Sequence, residues 1–255
     1  MRRFILLLTL CGLGSCCGYW DTPLETEVGW TLFGYADDAL DTNRDVAMRA
    51  VYLDEYCRQT TDEDRRAVQD RYFPRERIVD DGNVWRILTP QYTWTFEMAD
   101  GKLLAEPGSE WKISYEGNWM GETPKSVIGN SGAGVLTMRT EIDSYRFRTV
   151  VQTQFRPSSD SDGGLMLDFF MGDLTLRSKE KPRLDVACTI VSAVKFREKA
   201  EYPEPDGVLS LTAHNEADNA DEQATARYLA DGDVEITYRG ATQRWNENEE
   251  NMLPE

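Results

Sequence analysis

The stretch that decides the fold is YRFRTVVQTQF, residues 145–155. Its side chains alternate between the two faces of the chain, with a period of two instead of the 3.6-residue period of a helix. The alternation runs from Tyr145 to Phe155, and the opposite face carries Arg146, Arg148, Gln152 and Gln154. Such alternation is typical of antiparallel strands with one buried face. The stretch therefore predicts a long strand that lies on a core.

The same alternation recurs from residue 83 onward. YTWTFEM, residues 92–98, and VACTIVSAVKF, residues 186–196, each place one apolar set on a single face. Shorter candidate strands lie at 84–89, 110–115, 134–140, 165–170, 173–178, 208–213, 223–230 and 233–239. Turn sequences such as Asp81-Gly82 and Asp231-Gly232 separate many of them. Roughly eleven strands, most of them joined by short turns, predict an antiparallel meander.

Two helices are expected before the strands. Residues 42–58 begin with a capping pattern, Thr42 to Asp45, and continue with apolar residues at helical spacing. A second helix is predicted over 61–72, and Pro74 prevents its continuation. The two segments predict a helical hairpin with charged, solvated outer faces.

The predicted fold class is α+β, mainly antiparallel β, with a helical hairpin followed by a barrel-like β-meander. The longest strands suit the tilted wall of a lipocalin-like barrel, and a β-sandwich or jelly roll is the alternative. The predicted division of the chain is a signal peptide at 1–15, a lipidated N-terminus and tether at 16–36, the hairpin at 37–80, the barrel-like domain at 81–245 and an acidic disordered tail at 246–255.

The first residues are typical of a secretory signal. Arg2 and Arg3 precede an apolar run, Phe4 to Leu10, and small residues follow. The run is much shorter than the ~20 residues that a membrane-spanning helix needs. We therefore expect a signal peptide and not a transmembrane anchor.

The segment Leu13-Gly14-Ser15-Cys16 resembles the lipobox of bacterial lipoproteins. In that family the cysteine is acylated and becomes the mature N-terminus, so the resemblance implies lipidation of Cys16. Signal cleavage without a lipid is the alternative. The whole layout is similar to that of β-rich lipoproteins of Gram-negative gut anaerobes. It implies a cell-envelope protein on the periplasmic face of the outer membrane, with the cell surface as the second choice.

The charge of the chain is strongly acidic. It has 45 acidic and 28 basic residues, a net charge of −17. Removal of residues 1–15 takes away two arginines and no acid, so 26 bases would face 45 acids and the net charge would be −19. Nucleic acids and anionic lipid surfaces require clustered Lys and Arg. The composition thus excludes nucleic acid as an expected partner.

The cysteines do not predict a metal site. Three of the five lie at Cys11, Cys16 and Cys17, and the others are Cys57 and Cys188. No C-x-x-C pair exists and the chain has a single histidine, so a zinc site is not expected, nor is any other metal or cofactor. A Cys57–Cys188 disulfide is an alternative to two buried thiols, which we favour because both residues lie on apolar stripes.

Two segments superficially resemble hydrolase motifs. GNSGAG, residues 129–134, resembles the turn around a serine-protease nucleophile, but the sole histidine, His214, follows Ser131 where that family places it before. EIDSY, residues 141–145, resembles the E-x-D-x-x-E motif of jelly-roll glucan hydrolases, with Arg146 in the place of the second glutamate. No catalytic residue is therefore assigned.

Aromatic residues carry the functional hypothesis. EWKISYEGNWMGE, residues 110–122, contains Trp111, Tyr115 and Trp119, and Trp94 belongs to the strand before it. Aromatic side chains beside carboxylates and amides suit a glycan or a small apolar ligand, and ordinary core packing is the alternative. The predicted function is a non-enzymatic lipoprotein, held to the membrane by its N-terminal lipid, that binds a small ligand, a glycan or an envelope protein. A carboxylate-dependent glycan hydrolase and a structural or assembly subunit docking through the helical hairpin are the alternatives.

Overall fold

The structure is a computed structural model of the 255-residue chain. It describes residues 24–90, 92–98, 110–117, 124–132, 135–143, 147–179, 184–198, 200, 202–216, 219–230 and 232–245. Two helices precede the strands: α1 (Leu24–Arg58) and α2 (Asp62–Tyr72). The strands are β1 (Arg77–Asp80), β2 (Val84–Leu88), β3 (Tyr92–Met98), β4 (Glu110–Gly117), β5 (Pro124–Gly132), β6 (Val135–Asp143), β7 (Phe147–Ser159), β8 (Leu165–Ser178), β9 (Leu184–Ser192), β10 (Val194–Arg197), β11 (Val208–Asn215), β12 (Ala220–Tyr228), β13 (Val234–Tyr238) and β14 (Ala241–Trp245).

The strands form one antiparallel sheet whose order follows the chain. Neighbours in sequence are neighbours in space from β1 to β9, and β11 to β14 continue the path. The strand β10 pairs with the first half of β8, while β9 pairs with its second half. β9 and β10 thus act as two halves of one strand, interrupted at Ala193. The α+β class and the antiparallel meander predicted from the alternation are confirmed.

The expected closure into a barrel is wrong. Within the described ranges, the pairing path starts at β1 and ends at β14, and these two strands do not pair. The helix α1 crosses the strands on one side of this open sheet. Phe33 contacts Tyr228 in β12, whereas Tyr56 contacts Trp85 in β2. The two helical residues are 56 − 33 = 23 positions apart, or about 35 Å at 1.5 Å per residue. The helix therefore extends from the last strands of the path to the first ones.

The first helix is longer than the sequence pattern predicts. It begins at Leu24, inside the segment expected to be a tether, and not near Thr42. Phe33, Ala36 and Leu40 are buried at helical spacing and add more than two turns to the packed stripe. The end of the segment expected to be a tether is therefore part of a helix that packs onto the sheet.

The core lies between α1 and one face of the sheet, which we call the inner face. Alternate strand residues point to it, among them Phe96, Met138, Val151, Leu174 and Leu211, all buried. The other face, the outer face, carries mainly polar residues. Three stacked or edge-on rings, Phe155, Phe169 and Phe196, occupy the middle of the inner face at centroid distances of 5.0 and 5.6 Å.

Polar contacts fix the position of α1 on the inner face. The Asn43 amide is fully buried, donates to the Thr153 hydroxyl at 2.6 Å and accepts from the Thr140 hydroxyl at 2.5 Å. Nearer the start of the helix, the Tyr228 hydroxyl donates to Asp37 at 2.6 Å. Apolar contacts alone would tolerate sliding of the helix, whereas buried hydrogen bonds are lost when it moves. These bonds specify one register between helix and sheet.

The second helix packs against the end of the first. Thr61 caps it by accepting from the Asp64 backbone N–H at 3.1 Å, as the capping pattern predicts. The ring of Tyr72 in α2 stacks on the ring of Tyr52 in α1, with 3.9 Å between the centroids. Most of its remaining surface is exposed, and Val68 is buried. Neither helix, over the part of the chain that is described, combines the length and apolarity needed to cross a bilayer.

Candidate functional site

Two of the predicted ligand-binding tryptophans lie on the inner face as part of the core. Trp94 in β3 and Trp111 in β4 are each only 1% exposed. Tyr115 lies in β4 directly opposite Trp94, and Trp119 lies outside the described residues. The structure therefore places Trp94 opposite the backbone of Tyr115, whereas Trp111 pairs with Met98, four residues further along the same strand pair. The two described indoles are buried and do not form an exposed platform.

Trp111 lies flat against the backbone of the next strand. Its Cα partner in β5 is Gly129, which pairs with Met138 in β6. A Cβ added at Gly129 would lie 1.8 Å from the Trp111 ring. The glycine is therefore required by the tryptophan, and the pair forms one packing unit across two strands.

The region around Trp94 contains a charged contact between the helices and the sheet. Arg49 of α1 places its guanidinium 5.9 Å from the Trp94 ring and 5.8 Å from the Tyr92 ring. Glu76, in the connection before β1, accepts from Arg49 at 3.4 Å and from the Tyr92 hydroxyl at 3.0 Å. Burial raises the pKa of Tyr92. These contacts join α1, the connection before β1, and β3. We call the three residues Arg49, Glu76 and Tyr92 the Glu76 corner.

A second polar contact joins α2 to the middle of the sheet. Glu198 accepts from Arg71 at 3.2 Å and from the Leu165 backbone N–H at 3.1 Å. The stacked pair Tyr52 and Tyr72 lies beside it, and burial raises the pKa of Tyr72 to about 12. These phenols stay protonated at neutral pH, so they act as hydrogen-bonding and packing groups. Sequence reasoning missed both contacts, because their partners are far apart in the chain.

Two buried indole N–H groups have no hydrogen-bond partner among the residues that the structure describes. The Nε1 atoms of Trp85 and Trp111 make no hydrogen bond within the described portion of the chain. Trp85 lies in β2 and, like Trp111, is buried on the inner face. Buried indoles usually find an acceptor, so these two donors are the feature that favours a bound acceptor group.

The carboxylate of Glu141 on β6 is paired with two arginines. Glu141 accepts from Arg139 at 2.7 Å and from Arg148 at 3.0 Å. These hydrogen bonds lower the pKa of Glu141 and hold it as the anion. A general acid needs a raised pKa, so this residue cannot supply the proton for glycoside cleavage.

The serine and histidine of the protease-like reading are far apart. Ser131 lies within β5, while His214 lies in β11 and contacts Asp221 at 2.7 Å. Five strand spacings separate β5 from β11 along the sheet, which is about 24 Å. A base must lie within hydrogen-bond reach of its nucleophile, so the two residues cannot act together.

The cysteines Cys57 and Cys188 are free thiols. Cys188 lies near Asp37, whose charge adds to burial in raising the pKa of this thiol to about 12. Asp37 and Cys57 are 57 − 37 = 20 residues apart on α1, or about 30 Å. A disulfide needs Cα atoms within about 7 Å, so the alternative pairing is excluded. No group of three or more potential metal-ligating side chains occurs in the described ranges.

The state of these thiols can be checked directly. We expect the native protein, in a form beginning at Gly18, to leave Cys57 and Cys188 unmodified by a thiol reagent at pH 8. Burial raises the pKa of each thiol to about 12, so the reactive thiolate is scarce. Denaturation should release two reactive thiols, measured by absorbance and by mass. Detection of a disulfide-linked peptide would contradict the assignment.

The sequence and the structure were compared with protein families, curated proteins and solved structures, and no match was found.

Proposed function

We propose that this chain is a non-enzymatic lipoprotein of the cell envelope that binds a partner protein through the outer face of its sheet. The observation that carries the proposal is the packing of α1 on the inner face. The mouth that a lipocalin-like barrel would offer to a small ligand is occupied by a helix with buried residues such as Asn43, Ala47 and Leu53. We also infer that the sheet is an open relative of that barrel, since a single sequential path describes it better than a sandwich or jelly roll.

Exposed apolar side chains lie on the outer face. Met171 and Val191 are 56% and 65% exposed. Met171 and Val191 lie on the neighbouring strands β8 and β9, each two residues beyond the pair Asp173 and Thr189. Exposed apolar side chains that adjoin one another are typical of interaction sites. Phe170 extends this patch, with the Arg156 guanidinium 5.3 Å from its ring. We call these four residues the Met171 patch.

Uncharged hydroxyls surround the patch on one side. A cross-strand row of directly paired residues runs through five strands: Thr189, Ser210, Thr225, Thr237 and Thr242. Such a row carries neither the positive charge that nucleic acid requires nor a set of aromatic rings for sugars. An apolar spot beside a row of hydroxyl groups supports a protein partner.

Photo-crosslinking tests the partner surface. A benzophenone amino acid at position 171 should give one discrete adduct in cells of the native host, and the same group at Arg66 on α2 should give none. The second position is exposed and tests docking through the helical hairpin, the assembly-subunit alternative. An adduct at position 66 alone would move the partner to the hairpin. Absence of adducts at both positions would contradict a protein partner.

The lipid anchor has its own prediction. Cys16 lies outside the described residues, so chemical labelling is the appropriate test. A fatty-acid probe should label the wild-type protein and should not label Cys16→Ala, which should also leave the membrane fraction. Cys17→Ala is the matched control and should be labelled normally, because only the lipobox cysteine is acylated. Labelling that depends on Cys17 would show that the cleavage site is one residue later.

A small ligand is the second candidate, favoured by the free indole N–H groups of Trp85 and Trp111. A bound molecule with an acceptor atom would satisfy them. Native mass spectrometry of the protein purified from its own membranes should then show a retained mass. Trp111→Phe removes the donor but keeps an aromatic ring at this position, and it should release that mass. A spectrum without additional mass would reject this candidate and leave the protein-partner proposal standing.

A further inference from the structure

We propose that the protein partner of the outer face is a second copy of this chain and that the Met171 patch forms a symmetric, face-to-face dimer. The inference rests on the proposed function, which assigns a protein partner to this face, and it deepens that function by naming the partner. Two opposite charges, Arg156 and Asp173, carry the argument. An interface between identical copies needs a self-complementary surface, because the same patch serves both partners.

The two charges are exposed and have no ion-pair partner in the part of the chain that the structure describes. The Arg156 guanidinium lies 5.3 Å from the Phe170 ring, and Asp173 accepts from the Thr189 hydroxyl at 3.2 Å. The strand partners of Asp173 are Gln152 and Thr189, which are both uncharged. Both charges are therefore available to a partner that approaches the outer face.

The other charges near Arg156 leave its side of Met171 positive. Asp168 of β8 lies directly opposite both Arg156 and Lys195 of β10. Two cations thus share one carboxylate, and the three side chains together have a net charge of 2 − 1 = +1. The side of Met171 that carries Asp173 is negative. The patch therefore separates a positive region from a negative one.

The register between β7 and β8 fixes where the two charges lie. Gln154 pairs with Met171 at the centre of the region. Arg156 is two residues beyond Gln154 on β7, whereas Asp173 is two residues from Met171 toward the other end of this strand pair. Four residues along the strands and one strand across correspond to about 14 Å. The two charges are therefore too far apart to pair within one molecule, and they lie almost symmetrically about Met171.

A two-fold axis in the plane of contact brings these charges together in pairs. When the axis passes near Met171, perpendicular to the line from Arg156 to Asp173, Arg156 of each copy meets Asp173 of the other. Met171 lies almost on the axis and packs against the same residue of the second copy. The strands of the two sheets then cross at about 40°, close to the ~30° at which β-sheets commonly stack. The dimer thus buries its apolar side chains between two identical ion pairs.

Co-purification of two differently tagged copies tests the dimer. Both tagged forms of the full-length chain are expressed together in the native host, extracted in mild detergent and purified through one tag. A salt concentration of about 0.15 M screens the repulsion between chains of net charge −17 beyond about 8 Å. Two wild-type copies should co-purify. Two copies of Arg156→Asp, or two of Asp173→Arg, should co-purify at least about tenfold less, because like charges then face each other.

The mixed pair of variants is the matched control. When one copy carries Arg156→Asp and the other carries Asp173→Arg, each contact again joins an acid and a base, so this pair should co-purify like the wild type. Its recovery also shows that both variants are folded, since an unfolded chain presents no patch. Failure of the mixed pair to co-purify, or undiminished co-purification of either variant with itself, would overturn the dimer.

The benzophenone at position 171 separates this inference from the proposed function. We expect its adduct to have twice the mass of the chain. An adduct with the mass of a different protein, together with wild-type copies that do not co-purify, would overturn the dimer and leave the proposed partner surface standing. Absence of any adduct at this position would overturn both.

Discussion

Gly129→Ala should unfold the protein or destabilise it by about 3 kcal/mol or more, since overpacking a tight core costs 1–3 kcal/mol and sometimes more. A methyl group at this position would lie 1.8 Å from the Trp111 ring, far inside van der Waals contact. The indole is 1% exposed, so it can move away only by displacing its neighbours in the core. Urea denaturation followed by circular dichroism measures the loss.

Two variants make this result specific. Gly82→Ala is the matched control, because nothing lies within 4 Å of the Cβ it would add. Its cost should be about 1 kcal/mol, from the positive φ of 81° at that turn. The double variant Gly129→Ala with Trp111→Leu should regain part of the lost stability, since the smaller side chain frees the space. A stable Gly129→Ala protein would contradict the placement of Trp111.

Asn43→Leu should lower the free energy of unfolding by about 2 kcal/mol or more, the penalty for leaving buried hydrogen-bonding groups without partners. The amide of Asn43 serves Thr153 and Thr140 at the same time, and all three side chains are buried. Leucine fills a similar volume but leaves both hydroxyls in an apolar interface. Chemical denaturation measures the change, with Asn83→Leu in an exposed turn as a control that should stay within about 0.5 kcal/mol.

The triple variant separates hydrogen bonding from packing. Adding Thr140→Val and Thr153→Val to Asn43→Leu replaces every member of the network by an apolar group of similar shape. Replacing every hydrogen-bonding group of a buried network costs less stability than removing one group and leaving its partners unsatisfied. The triple variant should therefore be more stable than Asn43→Leu alone. If the triple variant lost as much free energy of unfolding as the three single substitutions together, the hydrogen bonds would not be what holds α1 in register.

The sequence predicted the strands well because alternation reports burial directly. The stretch 145–155 falls almost entirely inside β7, and residues 92–98 match β3. The separate candidates at 165–170 and 173–178 proved to be one strand, β8, with an irregular register between Gln154 and Phe155 of its partner β7. Such an irregularity breaks the period of two and hides the continuity of a strand.

Alternation could not predict whether the sheet closes into a barrel or where α1 begins. Alternation fixes which side chains are buried but not what covers them, and the covering element here is a helix that crosses most of the sheet. Its first part contains Trp30, Phe33 and Tyr35, and aromatic residues have lower helix propensity than the alanines that follow. Tertiary packing of Phe33 and Ala36 overrides that local preference.

For the candidate site, too, the sequence predicted which residues share a face but not what they contact. Alternation placed Trp94 and Trp111 on one face, and the register of β3 with β4 confirms it. It could not distinguish a core from a binding platform, because both use the buried face of a strand. The Glu76 corner escaped prediction altogether, since Arg49, Glu76 and Tyr92 meet only through the fold. Single charged residues on a helix give no sequence signal for such distant partners.

The helix α1 is part of the core and covers the inner face of the sheet. Hydrogen exchange, followed residue by residue in native conditions, tests this packing. We expect the amides of residues 33–53 to exchange with the same free energy as those of β7 and β8, through global unfolding. Exchange of the α1 amides at the rate of a detached helix, while the strands stay protected, would contradict it.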